Sequence, residues 1–235
     1  MHEIENDLLG LLDDDTRHRL LAQCEEIDLV QGRKLTEAGD HLKSIYFPAS
    51  GVISLLATYA NGDVIEVATV GREGFVGIPA ILNGTISPAT HMVQMPGKAY
   101  VFDREAFERM ISDDQVMLRL LQRYSDVFIY EIMISAACNG MHGIDQRLSR
   151  WLLMMLDRSG KTTMELTHEF LAHILNVRRA SVTDSLRRLE AGGAIARGRG
   201  QIHVRDSLLL AGHSCECYSM VEDYRARAMP QAVGQ

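Results

Sequence analysis

Apolar residues near the start of the chain fall close to a helical period. Leu8, Leu11, Leu12, Leu20 and Leu21 share one face, which predicts a helix over 8–24. From Ile27 to about Asp103 the repeat shortens to that of strands. β-rich runs occupy 44–47, 52–59, 64–70, 90–94 and 99–102, between Gly39-Asp40, Gly51, Asn61-Gly62-Asp63, Gly71 and Asn83-Gly84. Short strands separated by such turns predict an antiparallel roll of jelly-roll type. Asn61-Gly62 marks a hairpin, because both residues tolerate the positive φ of a tight turn.

Helical spacing returns after Asp103, with a short helix expected over 104–111. Ser112-Asp113-Asp114 then supplies capping groups for a long helix reaching about Asn139. Its stripe of Val116, Leu120, Tyr124, Val127, Phe128, Glu131, Ile134 and Cys138 suits packing on the roll, and equally a seam against a second copy. Leu120, Tyr124, Val127, Phe128, Glu131 and Ile134 are the candidate dimerisation residues. Asn139-Gly140 and Gly143 predict a hinge. The fold class is α+β: a β-roll over 1–111, a dimerisation helix and hinge over 112–142, a second domain over 143–211, and a tail over 212–235.

The second domain opens with an amphipathic helix over 144–156, followed by a short strand over 163–166. Thr167 is a suitable N-cap for a helix over 168–175, and Asn176 suits the left-handed turn after it. A helix over 178–191 follows, with Val182, Leu186 and Leu189 facing inward. Arg178, Arg179, Ser181, Asp184, Ser185 and Arg188 are expected outward. Strand-forming residues then flank Arg197-Gly198-Arg199-Gly200, which predicts a basic β-hairpin wing. Two helices across a tight turn, then a wing, is the geometry that places the second helix in a major groove. Arginine serves there because its planar fork pairs with guanine O6 and N7 or with phosphate oxygens. The candidate DNA-contacting residues are Thr167, His168, Arg178, Arg179, Ser181, Asp184, Ser185, Arg188, Arg197 and Arg199. Asp184 is expected to accept from a cytosine amino group or to pair with Arg188.

Charge supports this reading only when divided along the chain. The net charge of the 235 residues is −7, yet 147–205 holds 11 Lys and Arg against 5 Asp and Glu. That segment is therefore +6 and the remainder −13, as for an acidic body joined to a basic DNA-facing part. A hydrophobic share of 46% excludes a disordered chain, and no apolar run is long enough for a membrane span. The acidic N-terminus is unlike a secretory signal, so a cytoplasmic location without membrane association is expected. Cysteines 24, 138, 215 and 217 are too scattered for a disulfide scaffold. No cofactor or metal is expected, the weak candidates being His213, Cys215 and Cys217. Gly-x-Ser-x-Gly, P-loop and His-Glu-x-x-His motifs are missing from the sequence, so no enzyme is expected.

The segment 144–205 resembles the winged helix–turn–helix of the Crp/Fnr transcription-factor superfamily. The resemblance is carried by Arg147-Leu148-Ser149-Arg150-Trp151-Leu152-Leu153, Leu166-Thr167-His168-Glu169, Asn176-Val177-Arg178-Arg179, Leu186-Arg187-Arg188-Leu189-Glu190 and Gly193-Ala194-Ile195. Tyr46-Phe47-Pro48, Gly51-Val52-Ile53-Ser54 and Gly71-Arg72-Glu73-Gly74-Phe75-Val76-Gly77 resemble the same family's cyclic-nucleotide-binding-like roll. The resemblance implies a dimeric regulator reading a palindromic operator, with RNA polymerase as a partner if it activates. It implies an effector pocket at Gly74, Phe75, Val76, Gly77, Pro88, Ala89 and Thr90. Nucleotide-binding relatives place glutamate after the loop glycine and arginine at the phosphate. Here Phe75 follows Gly74, and Ile86-Ser87-Pro88-Ala89-Thr90 carries no cation, so the effector is not expected to be a cyclic nucleotide.

Overall fold

The computed structural model describes residues 5–62 and 64–229. The first helical segment is broken into α1 (Asp7–Gly10) and α2 (Asp14–Leu21). Asn6 and Asp13 cap them, Asp13 accepting from the Thr16 N–H, so the single helix expected over 8–24 does not form. The strands β1 (Glu25–Leu29), β2 (Lys34–Thr36), β3 (Ser44–Pro48), β4 (Val52–Thr58) and β5 (Val64–Val70) follow. The short α3 (Ile78–Ile81) leads to β6 (Thr90–Met95) and β7 (Gly97–Asp103). Two antiparallel sheets result, ordered β1-β7-β3 and β2-β6-β4-β5. Their inner faces meet around Phe47, Phe75, Phe102 and Phe107, all wholly buried, with ring centroids 5.3–5.8 Å from Phe47.

Next come α4 (Arg104–Asp113) and the 27-residue α5 (Gln115–Met141). Asp114 caps α5, accepting from the Val116 and Met117 N–H groups. The helix runs through Asn139-Gly140 and ends at Met141, so the chain breaks at His142-Gly143, the later part of the expected hinge. Most of its predicted stripe is consumed within the chain, with Val116 left exposed and Ile134 half-buried. Leu120, Tyr124, Val127 and Phe128 are buried, and Leu120, Tyr124 and Phe128 join the core of the roll. The Tyr124 hydroxyl presses on Gly74 so closely that a Cβ there would lie 2.0 Å away. Glu131 is buried in an ion network, and Ile134 packs against Cys138, Cys215 and Cys217. None of the six expected dimerisation residues therefore presents a free seam. The open apolar side chains of α5 are Val116 at its start, Met141 at its end, and between them Ile129 and Met133, with exposed Ala136 and Ala137 beyond Met133.

The second domain comprises α6 (Ile144–Ser159), β8 (Thr163–Glu165), α7 (His168–Ile174), α8 (Arg179–Ala191), β9 (Ile195–Gly198) and β10 (Gln201–Val204). Its small sheet has the order β8-β10-β9. Two further helices, α9 (Ser207–His213) and α10 (Cys217–Ala228), return to α6 and α5 respectively. The domain docks on the roll, since Val52 and Met95 share its core with Trp151 and Met155. Trp151 Nε1 donates to Glu66 at 2.8 Å, and burial pushes that carboxyl up to about 6 despite hydrogen bonds from Ser54 and Trp151.

Beneath this junction lies Arg158, which contacts Glu131 of α5 at 2.5 Å and Glu73 of the roll at 3.0 Å. It also donates to Thr69 Oγ1. Burial opposes its charge, but Glu131 and Glu73 hold it ionised well above the ordinary guanidinium range. One side chain therefore joins roll, long helix and second domain.

Candidate nucleic-acid interface

Thr167 opens α7 as its cap, accepting from the Phe170 N–H at 3.1 Å. The chain reverses at Asn176, whose φ of 50° is the left-handed conformation expected there. Val177 N–H bonds back to Ala172 O at 3.0 Å, tightening the turn. His168 fastens the pair from the other end, with Nδ1 2.9 Å from Thr183 Oγ1. Because Thr183 donates its own hydroxyl to Arg179 O, the network assigns the imidazole proton to Nδ1. Burial, with Arg197, Arg179 and Arg187 nearby, holds His168 below its usual titration range, so it stands neutral at pH 7.

Helix α8 starts at Arg179, with Arg178 as its N-terminal flanking residue. Val182, Ser185, Leu186 and Leu189 are its buried positions, the i, i+3, i+4, i+7 set of one helical face. Ser185 is 0% exposed, which removes it from the expected DNA-contacting set. Arg178, Arg179, Asp184, Arg187 and Arg188 are exposed, and Ser181 is half-buried. Arg187, absent from the expected set, emerges beside Asp184 at 3.1 Å. Arg188 does not pair with Asp184. Its Nε and Nη2 each reach Asp145 of α6 at 2.6 Å, which anchors α8 to the domain.

The wing divides its arginines between two tasks. Arg197 donates through Nε to Glu190 at 2.8 Å, fixing the wing to the end of α8. Arg199 lies in the exposed turn, next to Gly200 at φ 70°, without an ion pair among the described residues. Arg147, Arg150 and Arg158 are partly or wholly buried, so the basic surface is narrower than the sequence count suggests. It concentrates at Arg178, Arg179, Arg187, Arg199 and Arg205. A cleft of about 470 Å³ separates the start of α8 from the β4–β5 hairpin, with Asn61 and Ile65 facing Asn176 and Arg179.

The family described as cyclic nucleotide-binding domain matches residues 26–114, and that described as Crp-like helix-turn-helix domain matches residues 146–211. The chain belongs to the Crp/Fnr superfamily. Similar solved structures include FixK2 from Bradyrhizobium japonicum, 15% identical with a TM-score of 0.70, covering 82% of this chain and 98% of that one. CLP from Xanthomonas campestris, described as a c-di-GMP responsive global regulator, is 15% identical with a TM-score of 0.65, covering 82% and 99%. A putative Crp/Fnr-family regulator from Eubacterium rectale is 16% identical with a TM-score of 0.66, covering 89% and 98%. These likenesses concern the fold. No curated protein sequence matches the chain.

Within this Crp/Fnr regulator, the residues expected to line an effector pocket are largely committed elsewhere. Phe75 stacks on Phe47 in the core, and Gly74, Val76 and Gly77 are buried beside it. The next loop glycine, Gly77, is followed by Ile78, so neither Gly74 nor Gly77 precedes a carboxylate. Ser87 donates to Ala89 O at 2.7 Å, while Thr90 Oγ1 accepts from the Ala38 N–H at 3.1 Å. Ala89 and Thr90 are buried and Pro88 is exposed. Arg72, the cation nearest the loop in sequence, forms a two-pronged pair with Asp7 at 2.7 and 2.9 Å. No helix among the described residues is long and apolar enough to cross a membrane.

Proposed function

We propose that the protein is a dimeric regulator reading a palindromic operator, with one α8 helix in the major groove of each half-site. The observation that carries this reading is the division of α8 into two faces. Val182, Ser185, Leu186 and Leu189 fix one face in the domain core, and Arg178, Arg179, Asp184 and Arg187 stand open on the other. Thr167 and His168 position the first helix, while Arg188 and Arg197 act through Asp145 and Glu190 to hold α8 and the wing in place. The protein works in the cytoplasm without catalysis, and where it activates transcription it contacts RNA polymerase.

The test is operator binding across a salt series. Arg179→Ala is expected to weaken the preferred operator by about 1–3 kcal/mol, roughly five- to 150-fold, and to relax preference at one base pair. Arg199→Ala should weaken all sequences alike and reduce the salt slope by about one phosphate contact. Unchanged affinity and base preference for Arg179→Ala would remove Arg179 from base reading.

The effector is not a cyclic nucleotide, because the 86–90 stretch carries no cation, and Lys34, which lines the cavity beside Thr90, is paired with Glu37 at 3.2 Å. Titration calorimetry with cyclic AMP or cyclic GMP is expected to show no binding in the micromolar range. A micromolar isotherm would overturn this and direct attention to Arg72 released from Asp7.

A further inference from the structure

Four metal-ligating side chains from distant parts of the sequence meet where the C-terminal segment crosses α5. Cys138 and His142 are one helical turn apart at the end of α5, and Cys215 and Cys217 bracket the start of α10. The three Sγ atoms and one imidazole nitrogen all lie within 4.8 Å of one another. Cys138 Sγ is 3.5 Å from Cys215 Sγ, and Cys217 Sγ is 3.6 Å from His142 Nδ1. Tetrahedral zinc, with Zn–S bonds of about 2.3 Å and Zn–N bonds of about 2.0–2.1 Å, spaces its ligand atoms roughly 3.6–3.8 Å apart. Both close contacts fall near those edges. His213, the histidine nearest to Cys215 in sequence, is exposed and does not belong to this group.

We propose that Cys138, His142, Cys215 and Cys217 form a Cys3His site for a thiophilic divalent metal ion, zinc being the best fit, which clamps the C-terminal helix to α5. The surroundings supply a second, independent argument. Three thiolates, a neutral imidazole and a dication leave the centre with a net charge of −1. Arg147 and Arg150 lie close enough for their charges to act on Cys138. Neither has a carboxylate partner among the described residues, and the Nε of each is buried without a hydrogen bond. Arg150 is 8% exposed, and its one hydrogen bond among the described residues is a 2.9 Å bond to Ser135 Oγ. Buried cations without counter-charge are costly, and an anionic metal–thiolate centre provides one. The three cysteines are free, with no disulfide between them. Binding then expels a proton from each thiol as its sulfur–metal bond forms, with no change of oxidation state.

Arg147 also extends the site toward DNA. Its Nη2 donates to Leu175 O, at the turn between α7 and α8, at 2.6 Å. A clamped α5–α10 junction is thus one guanidinium away from the helix–turn–helix.

The test uses the reduced full-length protein. Elemental analysis is expected to find one zinc per chain. Exchange with cobalt(II) alone should produce the visible bands of a tetrahedral ion and a sulfur-to-cobalt charge-transfer band. Cys215→Ser/Cys217→Ser should abolish both, His142→Ala should alter or abolish them, and His213→Ala should leave them intact. The wild-type spectrum decides the matter even if a variant misfolds. A wild-type protein that takes up neither zinc nor cobalt would overturn the proposal, as would air oxidation to a Cys138–Cys215 disulfide in the presence of zinc. Bands lost in His213→Ala but kept in His142→Ala would overturn the ligand assignment.

Discussion

Arg158→Met is expected to destabilise the protein by about 3–5 kcal/mol, the loss typical when one member of a buried ion network is removed. Methionine preserves much of the volume but leaves Glu131, 2% exposed, without its contact at 2.5 Å. Arg225 remains 3.6 Å from the other Glu131 oxygen, a longer contact that only partly compensates. Glu73 loses its partner too, although it still accepts from the Gly71 N–H at 3.1 Å. Urea unfolding should report the loss as a lower midpoint. The double variant Glu131→Gln/Arg158→Met should recover part of it, because the stranded carboxylate is then neutral. Trp151 is the sole tryptophan and touches Glu66 across the same junction, so its fluorescence separates undocking of the two domains from global unfolding. A midpoint unchanged by Arg158→Met would show that the network contributes nothing net to docking or folding.

The sequence made the roll and the helix–turn–helix legible for different reasons. The runs that became β4 and β5 are rich in Val, Ile and Leu and are closed by glycine and asparagine turns. The run that became β1 was missed because Glu25, Glu26 and Asp28 are exposed, and only pairing with β7 makes it a strand. In α8 the helical period was visible in Val182, Leu186 and Leu189, and the same period puts Ser185 inside. Its polarity suggested otherwise, whereas position along the helix decided the matter. Arg187 was accessible to the same reasoning, lying just under two turns from Ala180 and just under one from Asp184. The thiol–imidazole cluster was not accessible in this way. Cys138 and Cys215 are 77 residues apart, and no local spacing encodes their meeting.

The charge count shows a related limit. It identified 147–205 as the basic segment, yet it weighed every arginine equally. In the fold Arg158 serves the domain junction, Arg188 and Arg197 brace the reading head, and Arg147 and Arg150 face the thiols. Five of the segment's 11 positive charges are thus engaged within the fold, and only the remaining six are open to DNA. Specificity at the operator should therefore depend on a few residues, with Arg178, Arg179 and Arg187 each carrying a larger share than the raw count implies.

Ile129→Glu/Met133→Glu is expected to convert the proposed dimer to monomers and to reduce operator affinity by about a hundred-fold or more. The roll and α10 cover most of the apolar stripe read from the sequence, leaving Val116 open and Ile134 half-buried. The opposite face of α5 is also open. Ile129 is 51% exposed and Met133 62%, and Ala136, Ala137 and Gly140 continue the strip toward the end of the helix. Small residues at that end permit close approach of a second helix, and the spacing of Ile129, Met133, Ala136 and Gly140 follows the alternating four and three of a coiled-coil seam. A palindrome needs two recognition helices about one DNA turn, roughly 34–36 Å, apart. Each monomer then binds one half-site, and the gain from a linked second half-site is lost. Sedimentation velocity should show the change of mass, with far-UV dichroism unchanged because both side chains are already exposed. By contrast, Phe128→Glu should unfold the roll, since Phe128 is 6% exposed and its ring lies 6.0 Å from that of Tyr124. A dimer that survives the paired substitution would place the interface on another face of the molecule.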